Sequence, residues 1–235
     1  MTVQLKKTAT KTTLALALAL TATLGLGACG ASDTNSSASG TASPASSDLE
    51  TEAASAVATV PAIPGGSTEV ALDADFVAAL GTLGLTPGVV GGATLADGTV
   101  AFPITGGTVT LYDKTTGYRP WVQGVIFHDG SGLSLTAGAT TVELTNFAVD
   151  PGKPARLFGD VSVNGQVAAM NAPLFDLNGK NLEAPTMNAD GSAVLTGTSV
   201  NLSSEAAALL NQTFSTDALA GGLVIGIATI TVETK

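Results

Sequence analysis

From Gly98 onward, apolar and polar residues alternate in short runs broken by Gly, Asn, Asp or Pro. Each run has the length of one strand. They fall at 98–104, 108–112, 122–128, 133–136, 141–149, 155–163, 167–170, 174–177 and 223–233. The alternation is clearest over 141–149, where Val142 and Leu144 point to a core and a local slip brings Phe147 or Ala148 inward. Asn164-Gly165 between two such runs is a type I′ hairpin signal, and Asp129-Gly130 and Asn178-Gly179 are similar. Frequent short strands with turns of this kind predict a mainly β fold, an antiparallel β-sandwich or a partly open barrel.

Two stretches depart from the alternation and align with each other without a gap, 68–80 and 198–210. Each reads as a strand that turns into a helix. Asp73 and Ser203 fall at the N-cap, and Asp75 and Glu205 fall in the first turn, where a carboxylate meets the positive end of the helix. Gly81, Gly84 and Pro87 stop the first helix and Asn211 the second, so both are short and suited to covering open ends of the β structure. A structural corner used twice explains the likeness better than a duplicated site.

The N-terminal pattern differs in kind. Lys6, Lys7 and Lys11 precede an apolar run over 13–27, which ends at Leu26-Gly27-Ala28-Cys29. Positive charge, a short apolar core and small residues before a cysteine form a lipoprotein signal with a lipobox. Cleavage before Cys29 leaves a diacylglyceryl cysteine, with palmitate or a similar acyl chain, and places the protein on the outer face of the cytoplasmic membrane or in the cell envelope. Multiple chains on one cysteine anchor stably without a spanning helix. No later run reaches the roughly 20 apolar residues that a span requires. The expected organisation is a signal peptide over 1–28, the lipidated cysteine and a Ser/Ala/Thr-rich linker over 29–66, and one β-rich domain over 67–235. The linker has too few large apolar residues to offset chain entropy.

Charge narrows the partners. The formal net charge is −10, and subtracting the three leader lysines gives −13 for the mature chain. Phosphate backbones are bound through Lys and Arg clusters that are missing here, so nucleic acid is not an expected partner. The partner left open is an envelope component or a small ligand.

Catalytic chemistry is sparse. One cysteine, placed for lipidation, and one histidine, His128, leave no Cys/His catalysis and no multi-histidine zinc site. Asp129-Gly130-Ser131-Gly132 lacks the G-x-S-x-G spacing and reads as a turn. Asp73-Ala74-Asp75 and Asn188-Ala189-Asp190-Gly191 each supply too few oxygens for calcium. These features point away from an enzyme, with no metal and no required cofactor.

Polar aromatics are clustered instead. Tyr112, Tyr118 and Trp121 lie within ten positions, with Arg119 among them and His128 one strand on. Exposed aromatics on loops over a β scaffold make a candidate ligand-binding patch. The structural alternative has Trp121 filling the core and the tyrosines anchoring strand ends. An apolar void between the sheet and the Ala-rich helices is a further expectation to test, since it would suit an amphiphile.

The run Gly124-Val125-Ile126-Phe127-His128-Asp129-Gly130-Ser131-Gly132-Leu133-Ser134-Leu135 resembles part of the HtaA-type domain of actinobacterial surface proteins. The similarity continues through 142–149, 157–163 and 202–214. Phe102-Pro103-Ile104-Thr105-Gly106-Gly107 is similar to a stretch of actinobacterial envelope lipoproteins of no known activity. The HtaA resemblance implies an envelope-exposed β domain and, as the alternative function, haem bound through a tyrosine with a nearby histidine. His128 then matches the histidine–glycine turn. The family's tyrosine belongs to an early segment not found here, so Tyr112 or Tyr118 must replace it.

Overall fold

In the computed structural model the described residues are 55–118 and 120–235. The expected signal peptide over 1–28, Cys29, the rest of the stretch up to residue 54 and Arg119 lie outside them. Thirteen strands and two α-helices follow in the order β1 (Ala56–Val60), β2 (Gly66–Leu72), α1 (Ala74–Thr82), β3 (Thr86–Gly91), β4 (Thr94–Ala96), β5 (Thr99–Pro103), β6 (Gly106–Tyr112), β7 (Val122–Ala137), β8 (Thr140–Asp150), β9 (Arg156–Val163), β10 (Gln166–Asn178), β11 (Thr186–Met187), β12 (Ala193–Leu202), α2 (Ser204–Phe214) and β13 (Val224–Val232) among these residues.

The strands form one antiparallel sheet, curled into a half-barrel, in the order β1-β6-β7-β8-β9-β10-β12-β13-β2-β5-β4. The open barrel is therefore the realised alternative, not two stacked sheets. Two devices draw its ends together. β3 pairs with the second half of β7 while its neighbour in sequence, β4, pairs with β5. The chain also runs from β5, on β2, almost directly into β6, on β7.

Interior residues come from the alternation. In β8, Val142, Leu144, Phe147 and Val149 are buried, and the slip occurs at Asn146, whose φ is 54°. Asn164-Gly165 makes the tight β9–β10 turn with φ of 51° and 76°. Other turn signals act differently. Asp129-Gly130 makes no hairpin: it is a bulge inside β7, where the register slips between His128 and Gly132 and joins two predicted runs into one strand. The runs at 167–170 and 174–177 likewise join as β10 across irregular pairings. Asn178-Gly179 closes no hairpin; the Asn178 side chain accepts from the Lys180 N–H at 3.0 Å. Strand structure also begins ahead of Ser67, because β1 lies in the 29–66 stretch, held by β6 through Ala58, Thr59 and Val60.

Both helices start as the sequence predicts. The Asp73 carboxylate accepts from the N–H groups of Asp75 and Phe76 at 2.9 and 3.1 Å. The Ser203 hydroxyl accepts from the Ala206 N–H at 2.9 Å and donates to the Pro173 carbonyl at 2.7 Å. Leu80 of α1 and Ala206, Ala207 and Leu210 of α2 join the larger of two apolar clusters, with Val142, Phe147 and Leu174. The smaller cluster holds Ile63, Ile104, Ile126, Val149, Ile230 and Val232. It lies toward the barrel end away from the helices, since α2 follows the last residue of β12 while the other end of that strand is about 30 Å off at a normal strand rise.

Candidate ligand-binding site

Beyond the smaller cluster the barrel is hollow. A cavity of about 630 Å³ opens there. One wall is built by β1, β6 and the start of β7 through Val60, Val109, Leu111 and Val122, and the other by β10, β12 and β13 through Leu177, Leu195 and Val232. Alternation along each strand sends these side chains inward. Leu111, Leu177 and Leu195 are only half-buried and face the cavity. The helices pack at the other end, where a void of about 110 Å³ remains between β8–β10 and α2, so the larger void is at the mouth farthest from them.

Trp121 and Pro120 line this mouth. Tyr112 lies beside them along the backbone, its N–H donating to the Trp121 carbonyl at 2.7 Å, and the Tyr118 ring meets that of Tyr112 at a tilt of 53° with centroids 4.5 Å apart. Three of the residues singled out from the sequence, Tyr112, Tyr118 and Trp121, thus come together near the mouth, but only Trp121 lines the cavity; Tyr112 follows inward-facing Leu111 on β6 and turns to the other face of the sheet, with Tyr118 against it. Trp121 does not fill the core. The Lys114 ammonium lies 4.2 Å from the centre of the Trp121 ring, within cation–π range, and donates to the Leu182 carbonyl at 2.8 Å.

His128 is elsewhere. It is 1% exposed, inside the barrel, with Nε2 2.8 Å from the Thr68 hydroxyl on β2. Phe102 meets its ring edge-on with centroids 6.3 Å apart. Nδ1 makes no hydrogen bond of good geometry. Burial lowers its pKa to about 4, against weaker opposing pulls from the Phe147 carbonyl and the Asp129 charge, so the ring is neutral at neutral pH. His128 stands seven residues along β7 from Trp121, about 20 Å at a normal strand rise. It therefore cannot ligate or hydrogen-bond the same group as Tyr112 or Tyr118. The hydroxyl that an early strand does bring to His128 is that of Thr68. Ser131 donates to the His128 main-chain carbonyl at 3.1 Å, so it makes no nucleophile pair with the ring.

Sequence reasoning did not find Lys153 and Lys180, which line the cavity from the β8–β9 and β10–β11 connections. Each is an isolated lysine in a loop, and the walls they complete are distant in sequence. The other carboxylates considered for chemistry have local work. Asp190 accepts from the Ser192 N–H and hydroxyl, both at 2.8 Å, which holds its carboxyl below the usual carboxylate range.

No protein-family model matches the chain, and no curated protein matches it by sequence. Among solved structures, it is similar to the C-terminal domain of HtaA from Corynebacterium glutamicum, with a TM-score of 0.50 and 16% identity over 73% of this chain and 97% of that one. A domain-swapped dimer of a point variant of the same domain aligns with a TM-score of 0.42 and 17% identity, over 68% of this chain and 92% of that one. At this identity the first comparison speaks to architecture: the chain has the fold of an HtaA C-terminal domain.

Proposed function

We propose that this protein is a lipid-anchored envelope protein whose β domain binds an apolar ligand, without catalysis, in the cavity at the open end of the barrel. The cavity carries the reading. Its volume lies within the range of small-molecule sites. Interiors normally close-pack, so apolar side chains left half-covered on facing strands are suited to being covered by something else. The signal and lipobox ending at Cys29 support the anchor. The engagement of His128, Ser131 and Asp190 in the fold supports a binding role over an enzymatic one.

The test uses the mature chain, residues 30–235, made without leader or Cys29, and the fluorescence of N-phenyl-1-naphthylamine, a neutral apolar dye. Saturable enhancement is expected, and Leu111→Trp combined with Leu195→Trp, which narrows the cavity from both walls, weakens it while a cooperative melt is retained. Enhancement unchanged in that variant refutes the site.

The fold similarity and the family resemblance carry a second reading, haem held at the mouth. With His128 remote, Tyr112 or Tyr118 has to ligate the iron alone. Haem titration of the same chain tests it. A Soret band lost in Tyr118→Phe or Tyr112→Phe supports haem at the mouth, whereas a flat titration removes that reading.

A further inference from the structure

We propose that the cavity takes a single-chain amphiphile with an anionic head, acyl chain inward and carboxylate or phosphate at Lys153 and Lys180. The inference rests on the binding reading above and adds the charge of the ligand.

The lining decides the charge. Among the described residues that line the cavity there is no Asp or Glu, although the chain carries 19 acidic residues against nine basic ones. Its ionisable members are Lys153 and Lys180, both exposed and neither engaged in an ion pair. A third cation stands beside them, because Lys114 is held on Leu182 and Trp121, both cavity residues. Six basic residues follow position 54, and three of them are therefore at one mouth. Arg156, by contrast, is committed to Asp176 and Glu205, each at 3.0 Å.

Such an arrangement suits an anion at the rim and a hydrocarbon behind it. Lysines lining a mouth attract an anionic head and disfavour a cationic one. The walls carry the Thr198 hydroxyl but no ionisable partner for a second charged group at the far end of a ligand, and burying one there without a counter-charge is costly. This favours one head and one chain. Each further methylene drawn inside tightens binding by about fourfold until the cavity is full.

The experiment is displacement of N-phenyl-1-naphthylamine from the mature chain by four ligands of equal chain length: dodecanoate, dodecyl phosphate, dodecanol and dodecyltrimethylammonium, each below its micelle concentration. Both anions are expected to displace the dye at concentrations at least tenfold lower than the cation. Their advantage shrinks at high salt, as for exposed charges. Lys153→Gln with Lys180→Gln, still melting cooperatively, weakens the anions at least fivefold and leaves dodecanol unchanged. A preference for dodecanoate over dodecyl phosphate, or the reverse, identifies which head the lysines take. Equal displacement by all four, or anion binding indifferent to the double variant, overturns the inference and leaves the apolar-site reading standing. Failure of every ligand and of the dye overturns that reading too.

Discussion

The side-chain amide of Asn146 donates to the Asp160 carboxylate at 2.9 Å, joining two strands at the level where each leaves regular pairing. The link continues on both sides. The Gly130 N–H donates to Asn146 Oδ1 at 3.0 Å, and the Asn171 N–H donates to Asp160 Oδ1 at 2.9 Å. All three strand pairs, β7–β8, β8–β9 and β9–β10, slip register along this line. Asn146 and Asn171 adopt φ of 54° and 49°, which asparagine tolerates better than most residues. Bulges bend a strand and increase its twist, so a row of them across four strands creases the sheet into a barrel.

Asn146→Ala should therefore cost more than a surface substitution. It removes hydrogen bonds to Gly130 and Asp160 and leaves a Cβ residue in a left-handed conformation, for a loss of about 1–3 kcal/mol. Urea unfolding measures it. A midpoint within error of wild type contradicts the crease.

Asp160 makes the same line sensitive to acid. The Asn146 amide and then the Asn171 N–H hold its carboxyl below the usual carboxylate range. A group with a lowered folded-state pKa contributes stability above its unfolded value, and that contribution is lost as pH falls through the folded value. Asp160→Asn should flatten the fall in melting temperature below about pH 4, where the unfolded carboxyl begins to take up protons. An unaltered profile tells against the carboxylate as the bridge.

His128 sets a second and higher window. Its folded value of about 4 lies below the ordinary 6.5, so the unfolded chain binds the extra proton between them. Stability then rises with pH across that interval and is lost as pH falls from 6.5 to 4, by up to about 3 kcal/mol. His128→Asn should be less stable at pH 7 yet lose much of that slope. Denaturant titrations at intervals from pH 4 to 7 decide the matter, and an unchanged slope places the titration elsewhere.

Close approach across β9 gives a backbone prediction. A Cβ on Gly159 would lie 2.8 Å from both Leu174 Cδ1 and the Thr145 carbonyl oxygen, and 2.9 Å from Phe147 Cδ1. Gly159→Ala overpacks this point and should destabilise by about 1–3 kcal/mol. Calorimetry showing an equal or higher melting temperature rejects it.

The anchor proposed at Cys29 makes its own prediction. In cells fed labelled palmitate, wild type should incorporate label and Cys29→Ala should not. Label retained by the variant rules Cys29 out.

Much of this fold is legible in the residues because local chemistry decides it. The Asp73 and Ser203 caps, the 164–165 turn and the inward slip at Phe147 each depend on a few neighbours, and each forms as read. What was missed depends on distance. Asp129-Gly130 has the residues of a hairpin turn, but pairing with β8 resumes beyond it and makes it a bulge. β1 has only one partner strand among the described residues, and that partner lies some fifty residues away in sequence. The cavity was hidden for a related reason. Alternation tells which face of Leu111 or Leu195 turns inward, but not whether anything meets it there. Tyr112, Tyr118 and Trp121 were found as a cluster because they are close in sequence, whereas His128, close as well, was carried into the interior by the strand that joins them.

The two barrel ends are finished differently, one plugged by Leu80, Ala206 and Leu210 and the other left hollow between Leu111 and Leu195. On the binding role proposed above, substitutions at the plugged end should register first as lost folding, and those at Trp121, Lys153, Lys180 or Leu195 first as altered affinity. Selection acting on such a chain has a durable frame and an editable mouth, so proteins sharing this crease and these caps can diverge in the lining of that mouth without first solving the problem of folding again.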